Sequence, residues 1–89
     1  MDMYEVRISK STLKNLERMP EKIQKRMGHL VNDLHEKGPA RAEWPNYSKL
    51  GNNKYHCHLD RKWVACWQCE KRTTIIEVYY AGSRENAPY

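Results

Sequence analysis

The sequence predicts an α+β fold with two N-terminal helices packed on a mainly antiparallel four-stranded sheet, in the order β-α-α-β-β-β. Three observations lead there. Residues 3 to 9, "MYEVRIS", alternate apolar and polar positions, as a half-buried strand does. Residues 21 to 37 repeat apolar residues at helical spacing. The C-terminal part carries three β-branched or aromatic runs separated by tight turns. With 89 residues, the chain 1–89 reads as one small domain. Such a domain buries only about 60% of the surface its unfolded chain exposes, so its stability margin is thin.

In the first strand, Tyr4, Val6 and Ile8 point one way and Glu5, Arg7 and Ser9 the other. "SKSTLKNLERMP" follows, with Ser9 or Ser11 as helix cap and Leu13, Leu16 and Met19 on one face. Pro20 ends that helix and suits the first turn of a second. In the second helix Ile23, Met27, Leu30, Val31 and Leu34 form the apolar stripe, and Gly38 with Pro39 stops it. Lys14, Arg18, Lys22, Lys25 and Arg26 lie on the opposite helix faces. Residues 38 to 54, "GPARAEWPNYSKLGNNK", read as a loop with Leu50 tucked under the sheet. A strand from Tyr55 to Asp60, a tight turn at Arg61 and Lys62, and a strand from Trp63 to about Gln68 come next. "TTIIEVYYAG" is the last strand, and "SRENAPY" is a tail.

Pairing the hairpin about the Arg61–Lys62 turn sets Cys57 opposite Cys66 and Leu59 opposite Val64, and opposed residues share a face. Tyr55, Cys57, Leu59, Val64 and Cys66 then face the helices with Ile76, Val78 and Tyr80. His56, His58, Asp60, Trp63, Ala65 and Trp67 face outward with Ile75, Glu77 and Tyr79. This ordering disfavours a zinc site built from Cys57, Cys66, Cys69 and a histidine. "CWQC" has knuckle spacing, but there is no second CxxC or HxxxH. Buried thiols acting as small core hydrophobes are the simpler reading, with Cys69 left accessible.

The formal net charge of +5 favours an anionic partner, which means RNA, DNA or an acidic protein segment. No apolar run reaches membrane-spanning length, and "MDMYEVRISK" lacks the apolar stretch of a signal peptide. Three cysteines, an odd and modest count, agree with a cytoplasmic protein.

The strand "YEVRIS", the helix pair joined through "LERMP", "KLGNNKYHCHL" leading into the hairpin, and the ending "IIEVYYAGSRENAPY" resemble the RelE/ParE superfamily of toxins from toxin–antitoxin pairs. Their order, spacing and total length carry the resemblance over nearly the whole chain. It implies two helices on one sheet face and a concave basic face opposite. In the RelE branch that face cleaves mRNA in the ribosomal decoding site; in the ParE branch the fold poisons DNA gyrase. The RelE pattern puts two basic residues on the strand after the loop, and here these are His56 and His58. Its arginine on the next strand is replaced by Trp63, which removes one phosphate-binding charge. The arginine after the last strand is Arg84, and the C-terminal aromatic is Tyr89. "YHCH" resembles a subgroup of cytotoxic translational repressors. The resemblance also implies an acidic, partly disordered antitoxin as partner, with the ribosome and its mRNA as target.

The chemistry agrees with metal-independent, cofactor-free RNA cleavage. The 2′-hydroxyl attacks its own phosphate, so an enzyme needs a base, an acid and positive charge at the phosphorane. Histidines suit proton transfer near neutral pH, and two of them two apart on a strand stand about 7 Å apart on one face. Arg84 suits a phosphate clamp. Glu77 on the same face is placed to orient a histidine or act as base. Trp63, Trp67 and Tyr79 offer rings for unstacked bases, and Lys54, Arg61 and Lys62 complete the expected RNA-binding set. The favoured expectation is therefore a type II toxin that is a ribosome-dependent endoribonuclease. A non-enzymatic gyrase inhibitor is the runner-up, and a zinc-stabilised nucleic-acid-binding module ranks third.

Overall fold

A computed structural model describes residues 3–89. The elements follow in the order β1 (Glu5–Ile8), α1 (Lys10–Glu17), α2 (Glu21–Lys37), β2 (Ser48–Lys49), β3 (Lys54–His58), β4 (Trp63–Cys69) and β5 (Ile75–Ser83), then a 3-10 turn at Arg84–Asn86. The α+β expectation holds, with one strand more than the sequence suggested. The sheet has five strands in the order β1-β5-β4-β3-β2. β1 runs parallel to β5, with Val6 opposite Ile76, and the remaining pairs are antiparallel. Among the described residues no helix is long and apolar enough to cross a membrane.

Local chemistry explains the helices. Ser9 caps α1, its Oγ accepting from the Thr12 N–H at 3.2 Å and donating to the Thr12 hydroxyl at 2.7 Å. That turns Thr12 into the core and leaves Leu13 on the surface, 45% exposed, whereas Met19 is buried as its spacing predicts. Pro20 sits one residue outside α2 as its cap. Ile23, Met27, Leu30 and Leu34 are all buried against the sheet, with Val31 packed beside them. α2 ends at Gly38, whose φ of +94° suits a residue without a Cβ and whose N–H donates to the Leu34 carbonyl at 3.0 Å.

The hairpin pairs one residue away from the expected register. His56, not Cys57, lies opposite Cys66, and Cys57 lies opposite Ala65. The reversal centres on Arg61, with the Leu59 N–H donating to the Trp63 carbonyl at 2.8 Å, rather than between Arg61 and Lys62. A one-residue slip exchanges the faces of a whole strand. Ala65 and Trp67 therefore join Cys57, Leu59 and Cys69 in the core under the helices, with Tyr55 and Trp63 packed against it. Val64 and Cys66 move to the face of His56 and His58. Area decides the choice. An indole buries about 200 Å², which at roughly 25 cal/mol/Å² is worth about 5 kcal/mol as an upper figure, several times what a thiol offers. Trp67 is fully buried, and its Nε1 donates to the Pro39 carbonyl at 3.0 Å, so its one polar atom is satisfied.

A second irregularity lies on β5. Cys66 pairs with Tyr80 but Trp67 pairs with Val78, so Tyr79 is an extra residue at a bulge. Past it the alternation changes phase, and Ala81, not Tyr80, fills the core. β2, inside the stretch read as loop, pairs Ser48 with His56 and Lys49 with Tyr55. Leu50, expected under the sheet, is 36% exposed in the turn that follows.

Two outcomes follow from this packing. A Cβ at position 38 would lie 2.8 Å from Cε1 of Tyr4, in a backbone conformation that already strains an L-residue. Gly38→Ala should therefore destabilise the fold by about 1–3 kcal/mol, read as a lower urea midpoint at unchanged slope. All three cysteines are buried, Cys69 included at 8% exposure. Burial pushes the Cys57 and Cys66 thiols up to about 12. At pH 8 only about one in ten thousand of those two is thiolate, the reactive form. All three should resist alkylation in native buffer and react together on unfolding; rapid native labelling of Cys57 would contradict its place in the core.

Candidate active site

The face of the sheet away from the helices is built in rows across β3, β4 and β5. Lys54, Gln68 and Glu77 form one row, His56, Cys66 and Tyr80 the next, and His58, Val64 and Gly82 the third. The slipped register thus keeps His56 and His58 together on the outward face, with ring centroids 5.9 Å apart. His56 is 7% exposed. Ser48 on β2 holds it, with Oγ 2.9 Å from Nδ1, which leaves Nε2 as the nitrogen available for proton transfer. Asn46, in the left-handed region at φ 52°, brings its Nδ2 to 3.5 Å from Nδ1 of His58. Asparagine tolerates that conformation better than most residues.

The C-terminal tail folds back over this face. The Arg84 N–H donates to the Lys62 carbonyl at 2.7 Å, which pins the start of the tail beside the β3–β4 turn. The Tyr89 ring then lies 4.3 Å from that of His56, centroid to centroid. Arg84, Arg61, Lys62, Asn46, Glu85 and His58 line a cleft of about 420 Å³. Its cations outnumber its one carboxylate, so it suits an anion.

Burial lowers the His56 pKa, the neighbouring His58 lowers it further, and the Ser48 contact opposes both. Burial also lowers His58, and the positive charge of Arg84 adds to that. Both imidazoles are therefore neutral near pH 7 and able to accept a proton. Burial raises the Tyr89 phenol above its ordinary range, so it stays protonated. Towards the next row Lys54 Nζ stands 5.7 Å from the centre of the Tyr79 ring.

The residues singled out from the sequence therefore divide. His56, His58, Arg84 and Tyr89 come together, with Arg61 and Lys62 at the rim and Lys54 and Tyr79 one row away. Glu77 does not join them. It accepts from Gln68 Nε2 at 3.2 Å in the row of Lys54, and Cys66 and Gln68 separate it from the histidines. The expected outward face of the two tryptophans is corrected. Trp67 is inside the core and cannot receive a base, and Trp63 packs half-buried on the helix side, lining one cleft of about 310 Å³ with Arg18 and Met19 and another of about 240 Å³ with Arg61, Lys62 and Arg84. The three thiols are divided between the two faces, Cys57 and Cys69 with the helices and Cys66 opposite, and among the described residues no cluster of three or more ligating side chains is placed to hold a metal. Ser48 and Asn46 were missed. The signal for Ser48 was "LGNN", a turn sequence flanked by residues able to pair, which marks a short hairpin.

Known structures share this architecture. An archaeal RelE–RelB complex from Pyrococcus horikoshii OT3 matches with a TM-score of 0.76 at 17% identity, over 97% of this chain and 100% of that one. A mutant of the Escherichia coli toxin RelE in the free state matches at 0.74 and 13% identity, over 97% and 88%. A YoeB/ParE toxin from Agrobacterium tumefaciens matches at 0.73 and 9% identity, over 90% and 98%. No family model matches the sequence, and no curated protein does. At these identities the likeness is one of architecture: the chain has the fold of the RelE/ParE toxin superfamily.

Proposed function

We propose that this protein is the toxin of a type II toxin–antitoxin pair and that it cleaves mRNA on the ribosome. The observation that carries the reading is the pair of neutral histidines 5.9 Å apart beside the Arg84 cleft. In the proposed reaction a phosphate of the RNA sits at Arg84, whose fork takes two of its oxygens. His58 accepts the proton of the adjacent 2′-hydroxyl, and that oxygen attacks phosphorus. The bond from phosphorus to the 5′-oxygen breaks, and the Tyr89 phenol gives the departing oxygen its proton. The products are a 2′,3′-cyclic phosphate and a 5′-hydroxyl, and solvent returns the protons. His56 acts on Tyr89 by holding its ring. Arg61 and Lys62 supply the charge that Trp63 does not. The partner is an acidic, partly disordered antitoxin, a reading supported by the RelE–RelB complex of like fold.

The tryptophan at position 63 favours a second reading, non-enzymatic inhibition of DNA gyrase, because the resemblance puts an arginine there. Primer extension on ribosome-bound mRNA separates the two. His58→Ala and Arg84→Ala should each lower cleavage by about 10²–10⁴, with His56→Ala costing less, while melting temperatures stay near wild type. If the double alanine variant at 56 and 58 still arrests growth and still cuts mRNA, the nuclease reading of this face is wrong. Growth arrest without mRNA cleavage by the wild type points to gyrase.

The rate should also depend on pH in a definite direction. His58 works unprotonated, and its pKa lies below the ordinary histidine value of about 6.5. Activity should therefore persist below about pH 6.5 and fall only as His58 takes up a proton. Arg84→Gln removes a positive charge that disfavours the imidazolium, so the acidic limb of the residual activity should move to higher pH.

A further inference from the structure

A second cleft adjoins the one at Arg84, near the β3–β4 turn. That second cleft, of about 360 Å³, is lined by Lys22 and Arg26 of α2 and shares Asn46, His58 and Arg61 with the first. The two meet at His58, so they form one trough that passes from the histidine face of the sheet to the flank of α2. Arg61 stands at the junction of the two. Asp60 is the one carboxylate lining the α2 side, and it accepts the backbone N–H of Arg61. Neither Lys22 nor Arg26 is within ion-pair distance of a carboxylate among the described residues. Arg26 is braced on one side, its guanidinium carbon lying 5.8 Å from the centre of the Trp44 ring. Unpaired cations on a fixed helix, one of them braced, are how a chain prepares a place for phosphate oxygens.

We propose that Lys22 and Arg26 form a second phosphate-binding subsite for single-stranded RNA. A strand whose reacting phosphate lies at His58 and Arg84 continues past Asn46 and Arg61 and sets a further phosphate against α2. The inference rests on the nuclease reading and extends it. It gives α2 a role in gripping substrate and sets a minimum length for good binding. An acidic protein segment is the rival occupant, but continuity with the histidine cleft favours the nucleic acid, since one polymer fills both halves.

The test is fluorescence anisotropy of the full-length chain with labelled, 2′-O-methylated single-stranded RNA, which binds but lacks the attacking hydroxyl. Lengths of about 3 and about 12 nucleotides are compared across a salt titration. For single strands, each phosphate contact contributes about 0.7 to the slope of log affinity against log salt. Lys22→Ala should lower the slope for the longer RNA by about 0.7, and Lys22→Ala with Arg26→Gln by about 1.4, with the short RNA unaffected. Lys22 is exposed, so its variant is insulated from any folding defect that removal of Arg26 from Trp44 brings. If wild type binds the long RNA and both variants keep its slope, the subsite is absent while the nuclease reading stands. If wild type binds neither RNA, the subsite is overturned, while the nuclease reading is decided by primer extension on ribosome-bound mRNA. If the double variant loses affinity for polyglutamate but not for RNA, the cleft takes an acidic protein chain and the inference is overturned.

Discussion

Burying Trp67 sets the phase of the central hairpin, and that phase decides what the other face of the sheet presents. The indole stands between Val78 of β5 and Tyr55 of β3, with Pro39 above its nitrogen. Tyr47 and Tyr55 lie with ring centres 6.3 and 6.1 Å from it, so the loop after α2 is fastened to the sheet through one aromatic cluster. Because side chains alternate strictly along a strand, committing Trp67 and Cys57 to the helices commits Cys66, His56 and His58 to the other side. The outward face of the histidines thus follows from the burial of Cys57 between them, and what stands beside them on β4 follows from the burial of Trp67.

The tail makes that face into a site. Without residues 84 to 89 it would be a sheet surface with two imidazoles in water. With Tyr89 over His56 and Arg84 beside His58, the rings are partly withdrawn from solvent and one of them sits beside a permanent positive charge. Both effects push the histidines toward the unprotonated form. The same few residues thus provide a cation beside His58, the aromatic cover over His56 and the push toward the neutral imidazole, and a backbone hydrogen bond from Arg84 to the Lys62 carbonyl ties down their start.

The helices were legible because their apolar spacing has one interpretation. Ile23, Met27, Leu30 and Leu34 lie on a single stripe, and Gly38 and Pro39 admit no continuation. The hairpin was not legible to the same degree. From Tyr55 to Gln68 both alternating sets contain large apolar side chains, so two registers bury something plausible, and a turn displaced by half a residue chooses between them. His56 and His58 survive that error because both lie on one strand with one spacing. Trp63 and Trp67 do not, since their face depends on the pairing. The bulge at Tyr79 left no mark between Val78 and Tyr80, where neighbouring residues are all good strand formers, and β2 is too short to show a period. Ser48 and Asn46 went unseen for the same reason, since they act through tertiary contacts made eight and twelve residues along the chain.

The parallel pairing of β1 with β5 has a consequence for how the protein comes into being. The first strand made is hydrogen-bonded only to the last, with Glu5 opposite Ile75 and Ile8 opposite Val78. During synthesis the N-terminal strand and both helices therefore wait, with an apolar stripe uncovered, until nearly the whole chain exists. The candidate-site residues lie between positions 46 and 62 and between 84 and 89, on either side of β5, and they converge only when that closure occurs. Until β5 has formed and paired, the apolar stripe of α2 lacks part of its cover, and the candidate site lacks Arg84 and Tyr89.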